Sequence, residues 1–123
     1  MPKILLVEDE SMLLEMYRMA FTGGSFQLEL VIALNGKEAL EKAKSEKPDL
    51  ILLDILLPDM NGVDVLEQLK DGVDTKNIPI FVLTNFDTEG LAEKVKSMGA
   101  EKYLIKSKLT PLKLVEEVKQ KFK

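Results

Sequence analysis

Apolar runs of strand length alternate along the chain with segments in which apolar residues recur every three or four positions. Five segments have the length and composition of strands, at residues 4–7, 26–34, 50–53, 80–83 and 102–105. The runs at 4–7, 50–53 and 80–83 are apolar throughout, which is typical of parallel strands covered by helices on both faces. Residues 26–34 alternate in part, with Gln27 and Glu29 among apolar neighbours, which favours a strand at the sheet edge.

Helical periodicity follows each predicted strand. The first helix ends at Gly23-Gly24, the second runs from Asn35-Gly36 to Lys47-Pro48, the third covers about 63–70, and the fourth covers 88–98 before Gly99. The fifth begins at Thr110-Pro111, where a capping residue precedes a proline at the first helical position. The pattern predicts that three of these helices bury the following residues: Met12, Leu13, Met16, Met19 and Ala20 in the first, Ala39, Leu40 and Ala43 in the second, and Leu112, Val115 and Val118 in the fifth.

The order of elements is therefore (βα)₅, and the length of 123 residues predicts one domain spanning 1–123. Strict alternation implies right-handed crossovers and a doubly wound parallel α/β sheet. We expect the flavodoxin-like strand order 2-1-3-4-5, which is taken from known folds of this type. Ligands of such sheets bind beyond the carboxyl ends of the strands.

Composition narrows the chemistry that this edge can perform. The chain has no cysteine and no histidine, so any metal must be held by oxygen atoms, which favours Mg²⁺, Ca²⁺ or Mn²⁺. The net charge of −4 gives no broad attraction for nucleic acids or anionic membranes. The first apolar run is too short for a signal peptide or a membrane span, and we expect a cytoplasmic location.

A polar residue follows four of the apolar runs directly. Glu8 and Asp9 follow the first strand, and the residues that follow the third, fourth and fifth strands are Asp54, Thr84 and Lys106. Parallel strands place all these junctions on one edge of the sheet. If strand 1 neighbours strand 3, the three carboxylates converge within a few ångströms.

Three convergent carboxylates repel one another, by about 1–4 kcal/mol for each close pair. Lys106 can offset part of that charge, and a divalent cation such as Mg²⁺ can offset the rest. A cation beside a carboxylate can also bridge to a phosphoryl oxygen, so Asp54 would act as a nucleophile that becomes an aspartyl phosphate. The Thr84 hydroxyl and the backbone N–H of Asn85 could hydrogen-bond phosphoryl oxygens, and Lys106 could pair with another.

These residues lie in segments that resemble the receiver domains of two-component response regulators. The matching segments are ILLVEDE, PDLILLDILLPDMNG, IPIFVLTNFD and GAEKYLIKS, and the resemblance extends over essentially the whole chain. It implies that Asp54 is the phosphoacceptor and that Mg²⁺, with Mn²⁺ as an alternative ion, is held by Asp9, Asp54 and the backbone carbonyl of Leu56. Glu8 would complete the metal site mainly through water.

The resemblance also implies a switch and partners. Thr84 would be the switch hydroxyl, Lys106 the phosphate-pairing lysine and Tyr103 the switch aromatic residue. The phosphoryl donor would be a sensor histidine kinase or a histidine phosphotransfer domain, as in a phosphorelay. A downstream protein or an output domain outside this chain would bind the face formed by helix 4, strand 5 and helix 5. Nothing in the sequence decides whether phosphorylation produces a homodimer.

Two positions depart from the family pattern. Ser107 follows Lys106 where family members usually have a proline, often after a cis bond. A cis bond before any other residue costs about 2.5–4 kcal/mol, so we expect a trans bond and a changed approach of Lys106. Asn85 stands where the family commonly has a small residue. Leu56 and Phe86, two positions past Asp54 and Thr84, offer no group to orient water, which predicts slow self-dephosphorylation.

Three other functions could be performed by an α/β chain of this kind. A hydrolase of the haloacid dehalogenase type would need a second aspartate two residues past the nucleophile, where this chain has Leu56. A flavodoxin-like cofactor module would need a first loop rich in Ser, Thr and Gly, where this chain has Glu8-Asp9-Glu10. A pseudo-receiver that only binds proteins stays as the alternative. The sequence thus predicts a regulatory phosphoacceptor and no enzyme acting on external substrates.

Overall fold

In the computed structural model, which describes residues 1–85 and 88–123, five strands form one parallel sheet. The strands are β1 (Lys3–Val7), β2 (Glu29–Ala33), β3 (Leu50–Asp54), β4 (Ile80–Thr84) and β5 (Lys102–Ile105). Their order in the sheet is β2-β1-β3-β4-β5, which confirms the predicted order and the edge position of β2. The paired part of β2 is shorter than predicted, because Phe26 and Leu28 pack against the core from the preceding loop.

Five α-helices connect and follow the strands. They are α1 (Ser11–Thr22), α2 (Gly36–Glu46), α3 (Gly62–Asp71), α4 (Leu91–Ser97) and α5 (Pro111–Lys121), and a 3₁₀ turn covers Lys106–Lys108. Side-chain caps begin three of them, since Asn35, Asn61 and Thr110 each accept a hydrogen bond from a first-turn N–H. The sequence predicts the starts at Asn35 and Thr110 but not the cap at Asn61. The predicted start of α4 at residue 88 was wrong by three residues, because a turn ending at Gly90, with φ of 85°, precedes the helix.

Side chains alternate between the two faces of the sheet, and each face has its own core. Leu5, Val7, Leu53 and Val82 point to the face covered by α2, α3 and α4. The neighbouring strand residues point to the opposite face, which α1 and α5 cover. Burial on both faces explains why the central strands are continuously apolar. Among the helices of the described residues, none has both the length and the apolar character needed to cross a membrane.

The buried face of α1 differs from the predicted one. Met12, Met16 and Met19 are 76%, 49% and 65% exposed, whereas Leu14, Tyr17 and Phe21 are buried. Apolar residues surround this helix, so periodicity alone defines two candidate faces. The sheet packs against the face with Tyr17 and Phe21, because aromatic side chains bury more apolar area. The prediction that the methionines fill the core was therefore wrong.

A smaller correction concerns α5. Leu112 was predicted to be buried but is 70% exposed, and Leu114 is buried with Val115 and Val118 instead. Leu112 lies in the first turn of the helix, at the margin of the apolar stripe, where the sheet does not cover it.

Candidate functional site

The carboxyl ends of β1, β3 and β5 bring four ionisable side chains together. Val7 at the end of β1 pairs with Leu53 of β3, so the residues that follow, Glu8 and Asp54, extend side by side. Lys106 follows β5 and reaches across the end of β4 to both carboxylates. The convergence that the sequence predicts is therefore present in the structure.

Lys106 forms the centre of a nearly buried ion-pair network. Its Nζ lies 2.6 Å from Oε1 of Glu8 and 2.8 Å from Oδ2 of Asp54. The three side chains are 9%, 1% and 6% exposed respectively, so solvent screens these contacts weakly. The Lys106–Ser107 bond is trans, as expected, and the 3₁₀ turn that follows leaves the lysine within reach of both acids.

Backbone N–H groups hold the other oxygens of the two buried carboxylates. Oε2 of Glu8 accepts hydrogen bonds of 3.2 Å from the N–H groups of Asp9 and Glu10. Oδ1 of Asp54 accepts a 3.2 Å hydrogen bond from the N–H of Leu56. Each buried carboxylate is thus oriented at both oxygens, which limits its freedom to turn away from its neighbours.

Asp9 completes an acidic cluster that is suited to a hard cation. Glu8, Asp9 and Asp54 each offer one oxygen, and these oxygens all lie within 4.8 Å of one another. When all are ionised, three carboxylates and the Lys106 ammonium carry a net charge of −2. Asp9 is exposed, so a cation can enter from solvent. Oxygen ligands in partly exposed geometry fit Mg²⁺ or Mn²⁺, which usually keep several waters.

The pKa values of Glu8 and Lys106 are both raised, for different physical reasons. Burial raises the pKa of Glu8 above its ordinary value of 4.5, and its hydrogen bond from Lys106 opposes that shift only in part. Burial works against the charged form of Lys106, but its hydrogen bonds to Asp54 and Glu8 outweigh that effect, so the pKa of Lys106 is raised. The Lys106 ammonium, shared between two acids, therefore stays charged. It offsets only part of the free-energy cost of burying the Glu8 carboxylate.

A cavity of about 280 Å³ opens above the cluster, large enough to admit a phosphoryl group and water. It is lined by Glu8, Asp9, Glu10, Asp54, Leu56, Asn85 and Lys106. The Leu56 side chain is 64% exposed at the rim of this cavity. Sequence analysis identified all of these residues as site members except Glu10, which it placed only in the acidic first loop.

The two predicted switch residues lie on the neighbouring strands β4 and β5. Thr84 ends β4 and is buried, one residue beyond the Leu83 that pairs with Asp54. Tyr103 lies on β5 opposite Val82 and is half-buried, packed against the core on the α2, α3 and α4 face. Phe86, which was predicted to border the phosphoryl group, lies outside the described residues.

Comparisons with known proteins agree with this geometry. The family model of the response regulator receiver domain matches residues 4–119. The polar-differentiation response regulator DivK of Brucella anthropi is 34% identical over 120 residues, which cover 97% of this chain and 95% of that protein.

Solved structures show the same fold. The Mn²⁺-bound form of response regulator Rcp1 superposes with a TM-score of 0.86 at 29% identity, covering 98% of this chain and 93% of that chain. A CheY-like receiver domain protein from Methanospirillum hungatei gives a TM-score of 0.86 at 27% identity, with the same coverage of 98% and 93%. Both likenesses extend over nearly the full length of each chain.

Proposed function

Since this chain belongs to the response regulator receiver domain family, we propose that it takes a phosphoryl group from a phosphohistidine onto Asp54. Receiver domains are regulatory phosphoacceptors that interact with histidine kinases and with downstream effectors. The observation that carries the proposal is the meeting of Asp54, the acidic pair Glu8 and Asp9, and Lys106 at one sheet edge. Intact-mass measurement after incubation with acetyl phosphate, with and without Mg²⁺, tests it.

The transfer is an in-line displacement at phosphorus. A carboxylate oxygen of Asp54 forms the new P–O bond while the P–N bond to the donor imidazole breaks, and the bonding electron pair leaves on that nitrogen. The Lys106 ammonium donates a hydrogen bond to the Asp54 carboxylate. Its four-carbon side chain is flexible, so the ammonium can move to pair with a phosphoryl oxygen after transfer. The backbone N–H of Asn85 and the Thr84 hydroxyl would bind the other phosphoryl oxygens.

A divalent cation would neutralise the charge that builds up on the phosphoryl group during transfer. Asp9, Asp54 and the Leu56 backbone carbonyl would hold it, with Glu8 acting mainly through water. Two observations support this assignment: the convergent carboxylate oxygens of this chain, and the Mn²⁺ in the structure of the related Rcp1. Mg²⁺ would be the ion used, and Mn²⁺ would serve in its place.

Phosphorylation would be converted into a change of surface by Thr84 and Tyr103. Movement of the Thr84 hydroxyl toward the phosphoryl group would vacate space into which Tyr103 turns, and this shifts an existing equilibrium between two conformations. The surface formed by α4, β5 and α5 would then bind a downstream protein or an output domain. Thr84 ends β4, and Tyr103 lies on the neighbouring strand β5, two residues before the Ile105 that pairs with Thr84, which supports this pathway.

The exposed methionines of α1 would form part of the surface that binds the phosphoryl donor, because this helix begins two residues after Asp9. We expect Met16→Glu to slow phosphoryl transfer by about tenfold, when the donor is a sensor histidine kinase that phosphorylates the wild type. The reason is that a charge buried in an apolar contact weakens binding. Labelling by acetyl phosphate should not change, because Met16 is 49% exposed and lies away from the core.

Val73→Glu is the matched control for that experiment. Val73 is 84% exposed and lies in the loop before β4, at the opposite end of the sheet from Asp54. Kinase-dependent transfer should be unaffected in this variant. Equal slowing in both variants would show that added negative charge, and not the α1 surface, is responsible.

We expect the aspartyl phosphate to hydrolyse slowly. Leu56 lies at the cavity rim and offers no polar group to orient an attacking water. We expect Leu56→Asn to speed hydrolysis of the acyl phosphate by roughly tenfold, because the amide can hydrogen-bond that water. Decay of the phosphorylated species, followed by intact mass, measures this rate. Leu34→Asn, at another exposed leucine, is the control, and equal decay in all three proteins would refute the role of Leu56.

A further inference from the structure

The first turn of α2 is capped by a residue far away in the sequence. Asn35 accepts a hydrogen bond from the N–H of Glu38, at 2.9 Å, and thereby satisfies one of the unpaired donors of a helix start. The N–H groups of Gly36 and Lys37 both donate to the carboxylate of Asp59, at 2.7 and 3.0 Å. Asp59 belongs to the loop between β3 and α3, 23 residues beyond Gly36.

Two further features strengthen this connection between α2 and the loop. The N–H groups, that of Gly36 first, lower the pKa of Asp59, so the carboxylate is charged where it meets the positive end of the helix dipole. The Met60 side chain packs directly beneath Gly36, where an added Cβ would lie 2.6 Å from the methionine sulfur. Gly36 is therefore required for the close approach of the loop.

The same loop carries a residue of the phosphoacceptor site. Leu56, three residues before Asp59, lines the cavity, and its N–H donates to Asp54. Leu56 pairs with Asn61 across the base of the loop, and the N–H of Gly62 donates to the carbonyl of Ile55 at 2.7 Å. Pro58 restricts its own backbone and that of the preceding residue, so the segment between Leu56 and Asp59 is stiff.

We infer that Asp59 is a positioning residue for the cation site, because it ties the loop that carries Leu56 to the first turn of α2. This inference rests on the proposed function, in which the Leu56 carbonyl is a cation ligand. Loss of the tie leaves two helix N–H groups without a protein partner and frees the middle of the loop. The Leu56 carbonyl and the N–H that orients Asp54 are then held less firmly, so cation affinity falls.

Mn²⁺ binding, measured from the EPR signal of free Mn²⁺, tests the inference without any phosphoryl transfer. We expect Asp59→Ala to weaken Mn²⁺ binding by about tenfold, the lower end of the range for residues that orient metal ligands. Asp59→Asn should weaken it less, because the amide oxygen still accepts from Gly36. A variant at the other side of the contact, Gly36→Ala, should also weaken binding, although alanine is the better helix former.

Asp49→Ala is the matched control. Asp49 also accepts a hydrogen bond from a distant backbone N–H, that of Lys3 at 2.8 Å, but it does so at the amino ends of β1 and β3. Its loss should lower the melting temperature without altering Mn²⁺ affinity.

The outcomes separate the inference from the proposed function. If the wild type binds Mn²⁺ and Asp59→Ala binds it equally well, or no worse than Asp49→Ala, the positioning role is overturned while the cation site stands. If the wild type itself does not bind Mn²⁺, the proposed cation site is wrong and the inference is overturned with it. Weaker Mn²⁺ binding in Asp59→Ala and Gly36→Ala, with unchanged Mn²⁺ binding in Asp49→Ala, supports the positioning role of Asp59.

Discussion

Asp54→Asn is expected to reduce phosphorylation by acetyl phosphate at least about a thousandfold, because the substitution removes the nucleophile itself. The amide is nearly the same size as the carboxylate and can keep the hydrogen bond from Leu56, so the fold should persist. Lys106 keeps its second partner, Glu8, in this variant. Mass spectrometry of the intact protein measures the loss directly, and circular dichroism checks the fold.

The control for this variant is Asp64→Asn, which changes an exposed carboxylate in the first turn of α3. That protein should be labelled as the wild type is. Undiminished labelling of Asp54→Asn, or transfer of the label to Asp9 at the wild-type rate, would reject Asp54 as the acceptor.

Lys106→Met is expected to destabilise the cation-free protein strongly at neutral pH. The substitution leaves Glu8 and Asp54 as neighbouring carboxylates that are 1% and 6% exposed and lack their shared counter-ion. Removal of one partner from a buried ion pair typically lowers the free energy of unfolding by about 3–5 kcal/mol. Urea unfolding at pH 7 in the presence of a chelator measures this difference.

The effect of this substitution depends on pH through Glu8. The pKa of Glu8 in the folded protein lies above its ordinary value of 4.5, so its protonated form favours the fold. Its contribution to stability is complete below that value and is lost as the pH rises through the folded pKa. Lys106 lowers the pKa of Glu8, so removal of Lys106 raises that pKa further. The pH range in which protonated Glu8 stabilises the fold then extends toward neutral pH. The loss of stability should therefore be smaller at pH 5 than at pH 7.

Mg²⁺ should restore much of the stability of Lys106→Met, because a bound cation replaces the missing positive charge. Lys121→Met is the control, since Lys121 pairs with Glu101 at 2.8 Å with side chains that are 28% and 40% exposed. An exposed pair of this kind contributes only about 0.2–1 kcal/mol, and its loss should not respond to Mg²⁺. If the two variants lost equal stability, the Lys106 network would have no special role in the fold.

Much of the fold could be predicted because the central strands are apolar at every position. Such runs are typical of a parallel sheet with two covered faces, and the polar residues that end them mark the edge where ligands bind. The shared edge of Glu8, Asp54 and Lys106 follows from the alternation of strands and helices, because strand ends in a parallel sheet lie at one edge. The placement of β1 beside β3, which brings Glu8 to Asp54, was taken from known folds of this type. The site was therefore more predictable than the helices around it.

The errors arose where local pattern does not determine tertiary packing. Periodicity could not choose between the methionine face and the Tyr17 face of α1, since both are apolar. The contact of Asp59 with α2 could not be foreseen either, because it joins residues 23 positions apart through backbone N–H groups that the sequence does not distinguish. From the sequence alone Asp59 is an ordinary turn residue, because aspartate is common in turns.

We propose that carboxylates at the ends of β1 and β3 hold a cation and thereby make Asp54 a phosphoacceptor. The most direct test is the intact mass of the wild-type chain after incubation with acetyl phosphate, in Mg²⁺ and in a chelator. We expect a mass gain of one phosphoryl group that maps to Asp54 in Mg²⁺, and none in the chelator. No mass gain under either condition would indicate a pseudo-receiver, and equal labelling in the chelator would contradict the role of the cation.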